Sequence, residues 1–443
     1  MEQILSPIPT AAKLCGREKE NPALDYRPTR HSLSVPCPEG ELLYHTLTGE
    51  LLLLSPGEQQ SARQELIARR FLVPVEYDEC RLSDDVHRVA VMLAPPSAVK
   101  KNFTILTTTD CNARCFYCYE MGRKRVPMSR QIAEDAANYM ADVCGGEPVH
   151  LSWFGGEPLH NIEAIDVITS TLANRGIAFS SSMTSNGFYL TPDVSRKAVR
   201  DWHLTRVQIT IDGTEQVYNR TKAFVDDCPN PFRRVLDNIE GALDSGIKIF
   251  IRLNVDKNNA DDMADAVDAL ARRFQGRDNC HMLVALLRSF AGKVHEFGEE
   301  EEAAACYFRL TEKIRGYGLF KERPLYRDLS ANRCMADSES AEVILPDGRL
   351  GKCEHFSETE LIGDLYSPRR DEEMCSAWKE RCTLADMPEC ADCPLYPRCI
   401  SLKKCDWTKH GCPLSTRIIR TENLKRQLLQ EYETWKKQQG RGL

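Results

Sequence analysis

Between about Asp110 and Phe290 the apolar positions of the chain switch repeatedly between two periods. Short runs rich in β-branched and aromatic residues alternate with longer stretches in which apolar residues recur every three or four positions. That is the pattern of strands followed by amphipathic helices. Phe103–Thr108, Pro148–Phe154, Ile177–Thr184, Arg206–Ile211, Ile247–Val255 and Cys280–Leu287 read as strands. Met128–Cys144 reads as a helix with Ile132, Ala136, Met140 and Val143 on one face. Ile162–Ala173, Pro192–Trp202, Pro231–Ser245 and Ala260–Phe274 follow as helices, with Thr191 as a predicted N-cap and Gly246 as a predicted stop. Six such βα repeats with short connections predict an α/β fold, a parallel sheet curled into a partial (β/α)6 TIM-like barrel. Its open side would admit a large substrate. Reactive residues in such sheets sit past the carboxyl ends of the strands.

The flanks read differently. Ser32–Val35, Leu42–Leu47 and Glu50–Leu54 read as strands, with a turn at Thr48-Gly49. Pro56–Arg70 reads as a helix with Ala62, Leu66 and Ile67 on one face, closed by Phe71-Leu72-Val73-Pro74. Together these predict a small winged-helix-like α+β unit over residues 1–98, with Pro95-Pro96 as its linker to a barrel over 99–320. From about Arg323 the chain is rich in Cys, Pro and Gly and has little periodicity, so a domain over 321–443 would need metal to hold it. Its last stretch, Ser415–Gln438, is a charged helix with Ile418, Leu424, Leu428 and Tyr432 as a docking stripe.

Composition narrows the class. At 443 residues the chain is too long for one simple core, and 42% hydrophobic with 28% charged residues is an ordinary globular balance. A net charge of −7 without a dominant Lys/Arg run argues against nucleic acid or a membrane surface as partner. Met1–Cys15 lacks the pattern of an export signal, and Leu51-Leu52-Leu53-Leu54 is far too short to span a bilayer. A cytoplasmic location is expected. In that setting nineteen cysteines favour metal ligation over disulfides, and twelve of them fall in two groups, Cys111–Cys118 and Cys334–Cys412. Cys15, Cys37, Cys80, Cys144, Cys228, Cys280 and Cys306 are scattered and read as ordinary thiols.

The first group, Cys111, Cys115 and Cys118, has the spacing C-x3-C-x2-C directly after the first barrel strand. Three thiolates are one short of closing a 4Fe–4S cluster, which leaves one iron open to a ligand. A zinc loop is the alternative, but no His or Cys follows within zinc-finger distance. Gly155-Gly156-Glu157-Pro158 follows the second strand: two glycines permit close backbone approach, and a carboxylate can accept from an ammonium. Thr184-Ser185-Asn186-Gly187 ends the third strand, and Gln208-Ile209-Thr210-Ile211-Asp212-Gly213 the fourth. Arg252 and Asn254 are polar residues in an otherwise apolar fifth strand. Arg252 also reads as a structural ion-pair residue.

With these motifs in order, residues 100–420 resemble the radical S-adenosylmethionine (radical SAM) enzymes. The resemblance implies that Cys111, Cys115 and Cys118 hold a 4Fe–4S cluster whose open iron is chelated by SAM. It further implies that Tyr117, Gly155, Gly156, Glu157, Pro158, Asn186, Arg252 and Asn254 surround that cofactor. One electron then cleaves SAM to a 5′-deoxyadenosyl radical, which abstracts hydrogen from substrate. Where the family's strand-four motif often continues with His-Asp and then Arg, this chain has Tyr218, Asn219 and Lys222.

The C-terminal thiols resemble the SPASM domain, which carries two auxiliary 4Fe–4S clusters. The resemblance assigns Cys390, Cys393, Cys399 and Cys412 to one cluster and Cys334, Cys353 and Cys405 to the other. Cys405 comes later after Cys399 than the family pattern has it. The fourth ligand of the second cluster is Cys382 or Cys375, or the site is open to a substrate thiolate. A zinc ribbon is the alternative for the region. The N-terminal unit resembles the peptide-recognition element of ribosomal-peptide maturases, which binds a leader peptide by strand addition. These resemblances imply a peptide maturase acting on a precursor with a leader, fed by a reductant such as flavodoxin or ferredoxin. They favour a thioether crosslink, with a carbon–carbon or carbon–oxygen crosslink, formylglycine formation by an anaerobic sulfatase-maturating enzyme, and a non-catalytic peptide-binding protein as alternatives.

Overall fold

The computed structural model describes residues 1–58, 60–93, 99–288, 296–325, 334–355, 357–367, 369–396, 399, 402–409 and 411–440. The predicted Pro95-Pro96 linker lies outside the described residues. The chain divides into two compact units. One comprises Met1–Pro95, Glu322–Arg333 and Glu380–Leu443, the other Pro96–Lys321 and Cys334–Lys379.

The second unit contains the predicted barrel. Its strands are β1 (Asn102–Thr108), β2 (Val149–Gly155), β3 (Phe179–Ser185), β4 (Leu204–Ile211), β5 (Lys248–Val255) and β6 (Cys280–Leu286). They stand side by side in chain order, each parallel to the next. β1 is buried from Phe103 to Thr108, as a strand covered on both faces should be. The helices are α1 (Arg130–Val143), α2 (Ile162–Asn174), α3 (Pro192–Asp201), α4 (Glu215–Lys222), α5 (Pro231–Asp244), α6 (Ala260–Phe274) and α7 (Glu300–Gly316). Side-chain caps start several of them: Ser129 accepts from Ile132 N, Thr191 from Val194 N, and Asn230 from Arg233 N. Gly246, at φ 85°, ends the run after α5 as expected.

The same sheet continues where the sequence shows little periodicity. β7 (Ala341–Ile344) pairs parallel to β1, and β8 (Arg349–Gly351) and β9 (Gly363–Asp364) follow antiparallel. β7 is four residues long and buried throughout, too short for a period to register. The segment expected as one C-terminal domain is thus divided between the two units.

The other unit holds a four-stranded antiparallel sheet in the order Glu2–Leu5, Glu50–Leu54, Gly40–His45, Ser32–Cys37. The helix expected over 56–70 is confined to Arg63–Ala68, because a turn at Gly57 (φ 83°) delays its start. The strand Glu2–Leu5 and the helices Pro9–Cys15 and Glu79–Leu93 were not legible as elements. The C-terminal helix, Leu414–Gln438, buries Leu428 and Tyr432 among Leu33, Val35, Leu42, Tyr44, Leu51 and Leu53, with Leu424 beside them. Its docking surface is the N-terminal sheet. Ile418, nearer the helix start, is half-buried. The cysteine-rich stretch is tied to the same unit. Arg30 Nη2 donates to Cys390 O (2.5 Å), Thr46 to Pro394 O, and the Tyr396 hydroxyl to Asp84. Among the described residues no helix is long and apolar enough to cross a membrane.

Candidate functional site

β1 runs directly into the thiol loop. Asp110 N donates to Thr108 Oγ1 (2.9 Å), Asp110 Oδ1 accepts from Cys111 N (2.8 Å), and Cys118 N donates to Cys115 O (3.2 Å), folding the loop back. The three thiols act on one another. Cys111 is pushed up to about 12, chiefly by burial, then by the Glu157 carboxylate, with Cys115 and Cys118 adding to it. Cys115 and Cys118 are raised too, again chiefly by burial. Two N–H donors address Cys111 Sγ: Ala113 N at 3.3 Å and Asn186 Nδ2 at 3.8 Å. Among the described residues no three His, Cys, Asp or Glu side chains stand in metal-holding geometry. The donor set is what suits the loop to an iron–sulfur cluster. These sulfurs are neutral on their own, and their amide donors favour the thiolate that metal binding requires.

The Gly-Gly turn after β2 packs against this loop. A Cβ on Gly155 (φ 116°) would stand 2.2 Å from Thr108 O, and one on Gly156 would stand 2.2 Å from Asp110 O. Only glycine allows that approach. Gly156 N and Glu157 N then donate to Thr108 O and Asp110 O at 3.0 and 2.9 Å. Pro158 opens a short 3-10 turn, and its carbonyl accepts from Thr107 Oγ1 (3.0 Å). The fully buried Glu157 carboxylate accepts from Ser185 Oγ (2.8 Å), Leu159 N (3.1 Å) and Asn186 N (2.7 Å), and burial raises it to about 7. Glu157 therefore stitches the glycine turn to the end of β3. Asn186 in turn reaches the thiol loop, donating to Asn112 Oδ1 at 2.8 Å.

The ends of β4 and β5 complete the rim. Asp212, fully buried, accepts from the Tyr117 hydroxyl at 2.8 Å and pairs with Lys222 Nζ at 3.1 Å. Arg252 Nε donates to Asn254 Oδ1 (2.9 Å), and the Arg252 charge feels both Tyr117 and Asp212. Asn259 Nδ2 donates to the carbonyls of Asp212 and Asn254, each at 2.9 Å. Tyr117, Asn186, Arg252 and Asn254 thus gather with the thiol loop and the glycine turn. Sequence reasoning passed over Asn112, Tyr189 and Asp226. Asp226 accepts from Asn112 Nδ2 (2.7 Å) and from the Tyr189 hydroxyl (2.6 Å), and Val225 N donates to Asn112 O (2.8 Å). Asn112 was findable from its place inside the thiol loop. Asp226 gives no local signal.

The remaining thiols fall in both units. In the barrel unit, Cys353 Sγ accepts from His355 N (3.3 Å), and the His355 ring lies 4.0 Å from that of Tyr119, next to Cys118. Cys334 N donates to Asp337 Oδ1 at 3.1 Å. Cys375 lines a cavity of about 590 Å³ with Lys100, Tyr139, Glu342, Lys352 and Lys379. Its strongest electrical neighbours are Lys352 and Glu372 rather than a thiol. In the other unit Cys390 is pushed up to about 12 by burial and then by Cys399, Cys393 and Cys412, so these four are gathered. Cys382 and Cys412 pack against the small core of Met387, Cys390 and Tyr396, and Cys382 also feels Cys405.

Residues 105–270 match the model of the Radical SAM superfamily, which comprises enzymes, so the chain carries a radical SAM domain. A probable GTP 3′,8-cyclase of Methanocella arvoryzae is 26% identical over 144 residues, 32% of this chain, and the match spans 43% of that relative's length. Among solved structures, anSMEcpe with bound AdoMet and the Kp18Cys peptide aligns with TM-score 0.55 at 14% identity, over 76% of this chain and 99% of that one. Streptococcus suis SuiB bound to precursor peptide SuiA aligns with TM-score 0.50 at 11% identity, over 84% and 94%. At such identities the likeness is one of fold.

Proposed function

We propose that the radical SAM domain of this chain serves a peptide maturase, one that installs a crosslink in a ribosomally made precursor, with a sulfur-to-carbon thioether as the bond formed. The observation that carries the reading is the hydrogen-bonded convergence of the Cys111–Cys118 loop, the Gly155–Gly156 turn and Asn186 at the carboxyl ends of β1, β2 and β3. Cys111, Cys115 and Cys118 would hold a 4Fe–4S cluster. When bound, the cluster supplies the electron that cleaves SAM to the radical that takes hydrogen from substrate. The chain's own part is geometric. The glycines would leave backbone free to approach the methionyl end of SAM, and Glu157 and Asn186 fix the turn to the thiol loop. Arg252, beside Asn254, offers a cation to a carboxylate. Tyr117, Asp212 and Lys222 close the floor against water.

Cys390, Cys393, Cys399 and Cys412 would hold an auxiliary cluster. Of the two candidate extra ligands, Cys382 is the better supported, because its neighbours include thiols and those of Cys375 are cations and carboxylates. The edges of the N-terminal sheet, Glu2–Leu5 and Ser32–Cys37, offer places for a leader to add a strand. The peptides bound in anSMEcpe and SuiB support a peptide substrate. Formylglycine formation is the rival reading. It has the fold likeness to anSMEcpe in its favour and needs no leader.

Anaerobic reconstitution with iron and sulfide, followed by dithionite and SAM, tests the enzyme reading. 5′-Deoxyadenosine should form, and Cys115→Ala should reduce it to background. A reconstituted wild type that forms none overturns the reading. Removing residues 1–95 would strip the sheet that covers the C-terminal helix, so leader recognition is better tested on the substrate. Fluorescence anisotropy should show the precursor binding the full chain more tightly than its leaderless form, and equal affinity would sink the leader-binding role.

A further inference from the structure

We propose that Asp226 is a positioning residue of the thiol loop: it fixes the direction of a side-chain amide relay, through Asn112 to Asn186, that aims an N–H at the Cys111 sulfur. What that N–H does there rests on the reading of the loop as a cluster site.

Asn112 is 1% exposed, and one short segment holds it by main chain and side chain together. Val225 N donates to its carbonyl at 2.8 Å, and its Nδ2 donates to Asp226 Oδ2 at 2.7 Å. That segment has anchors of its own. The chain leaves α4 at Ala223 in the left-handed conformation (φ 44°), and the Phe224 ring lies 4.9 Å from that of Phe188. The Tyr189 hydroxyl donates to the same Asp226 oxygen at 2.6 Å. From Asn112 the relay runs on to the end of β3. Asn112 Oδ1 accepts from Asn186 Nδ2 at 2.8 Å, and that nitrogen also stands 3.8 Å from Cys111 Sγ. Asn186 Oδ1 in turn accepts from Phe188 N at 2.9 Å.

An asparagine amide has a donor end and an acceptor end, and its partners settle which way it points. Here both ends of the relay are groups that cannot reverse. An aspartate is ionised at neutral pH, and a carboxylate only accepts, whereas a backbone N–H only donates. Asp226 therefore turns the Asn112 NH2 toward itself and leaves Oδ1 for Asn186, while Phe188 N holds the Asn186 oxygen. Asn186 Nδ2 carries two hydrogens. One goes to Asn112, and the other is left for the Cys111 sulfur. An Asn112 turned the other way would set its NH2 against that of Asn186 and drive the donor from its place. Partners behind a metal ligand orient it, and hydrogen bonds to the sulfurs are among the factors that set a cluster's reduction potential. Reduction adds negative charge, and a donor aimed at a ligand sulfur stabilises it, so the relay raises the potential.

The test is the midpoint potential of the loop cluster in the reconstituted full chain, read by EPR during dithionite titration. The loop signal is picked out by its change on adding SAM and its absence in Cys115→Ala. Asp226→Leu, which removes the fixed end of the relay, should lower the potential by about 59 mV, a tenfold change in a one-electron equilibrium. Loss of a nearby negative charge would by itself raise it, so the sign separates the relay from the charge. Asp226→Asn removes the same charge but keeps an oxygen that can accept from both Tyr189 and Asn112, and it should hold the potential at or above the wild-type value. Asn112→Leu, with no change of charge, should shift it down as Asp226→Leu does. The signature is a fall in both leucine variants that Asp226→Asn does not share. If Asp226→Leu fails to take up the cluster, Asn112→Leu set against Asp226→Asn carries the test. A leucine variant at the wild-type potential, or one that Asp226→Asn matches, overturns the inference and leaves the cluster reading standing. A wild type without the SAM-sensitive signal overturns both.

Discussion

The thiol loop of the barrel unit and the thiol segment of the other unit hold their sulfurs by different means. Around Cys111, Cys115 and Cys118 the neighbouring strand ends do the holding. Thr108 and Asp110 carbonyls meet the glycine turn, Asn186 reaches Asn112 and Cys111, and Arg114 meets Lys222. Around Cys390 to Cys412 regular structure among the described residues is slight: a 3-10 turn at Pro388–Cys390 and a four-residue helix at Asp406–Lys409. Bonds from Arg30, Thr46 and Asp84 and the buried Cys390 and Cys393 help to fix that segment. The first site is preorganised by its scaffold. The second would borrow its order from metal and from the N-terminal sheet.

Withholding iron during refolding is the strongest way to break this comparison. Limited proteolysis should then cut between residues 380 and 412 while the barrel from β1 to β6 stays intact, because a segment with so little core depends on its metal. Equal resistance in the iron-free and reconstituted forms would mean that the two thiol regions are equally self-supporting. A smaller perturbation separates the sheet's share. Leu428 is fully buried against the N-terminal sheet, so Leu428→Ala should cost about 3 kcal/mol. Hydrogen exchange in Gly40–Leu54 should speed up roughly a hundredfold while β1 to β6 keep their protection. Unchanged exchange in that hairpin would show that the helix is an ornament on the sheet.

The barrel was legible because its information is local. Thr191 and Gly246 mark helix ends within a few residues of the period they interrupt, and α6 falls on Ala260–Phe274 as its apolar stripe requires. The convergence of the candidate-site motifs was legible for the same reason, since each motif directly follows a strand. Illegible were the partnerships across distance. Asp226 meets Asn112 from 114 positions away, and Ala341–Ile344 becomes a strand only because β1 offers it an edge. The docking stripe of the last helix could be read from Leu424, Leu428 and Tyr432, but not that its partner is the first sheet of the chain. Lys222 shows the limit most sharply. In sequence it is one departure from a motif, and only the structure shows it buried and paired with Asp212.

The finest contrast between the regions is one of sign with pH. His31 and His45, in the unit of the N-terminal sheet, are pushed down from 6.5 to about 4 and about 3, chiefly by burial. His45 Nδ1 accepts from Thr48 N (3.2 Å) and His31 Nε2 lies 2.8 Å from Ser83 Oγ, so both fold neutral. Unfolded, each takes a proton near 6.5. Their contribution to stability is therefore complete above that value and is lost as pH falls through 6.5 toward the folded values. At 1.36 kcal/mol per pH unit, each histidine should cost about 2 kcal/mol by pH 5. Glu157 in the barrel runs the other way. Raised from 4.5 to about 7, it contributes fully below 4.5 and loses that contribution as pH rises through 7. Acidification from pH 7 to 5 should thus weaken the sheet unit while Glu157 favours the barrel. Urea unfolding read by pulse proteolysis resolves the two units by their fragments. His31→Gln, which keeps a hydrogen-bonding group toward Ser83, should remove that residue's share of the sheet unit's slope. A slope unchanged by His31→Gln would place the acid sensitivity elsewhere in that unit.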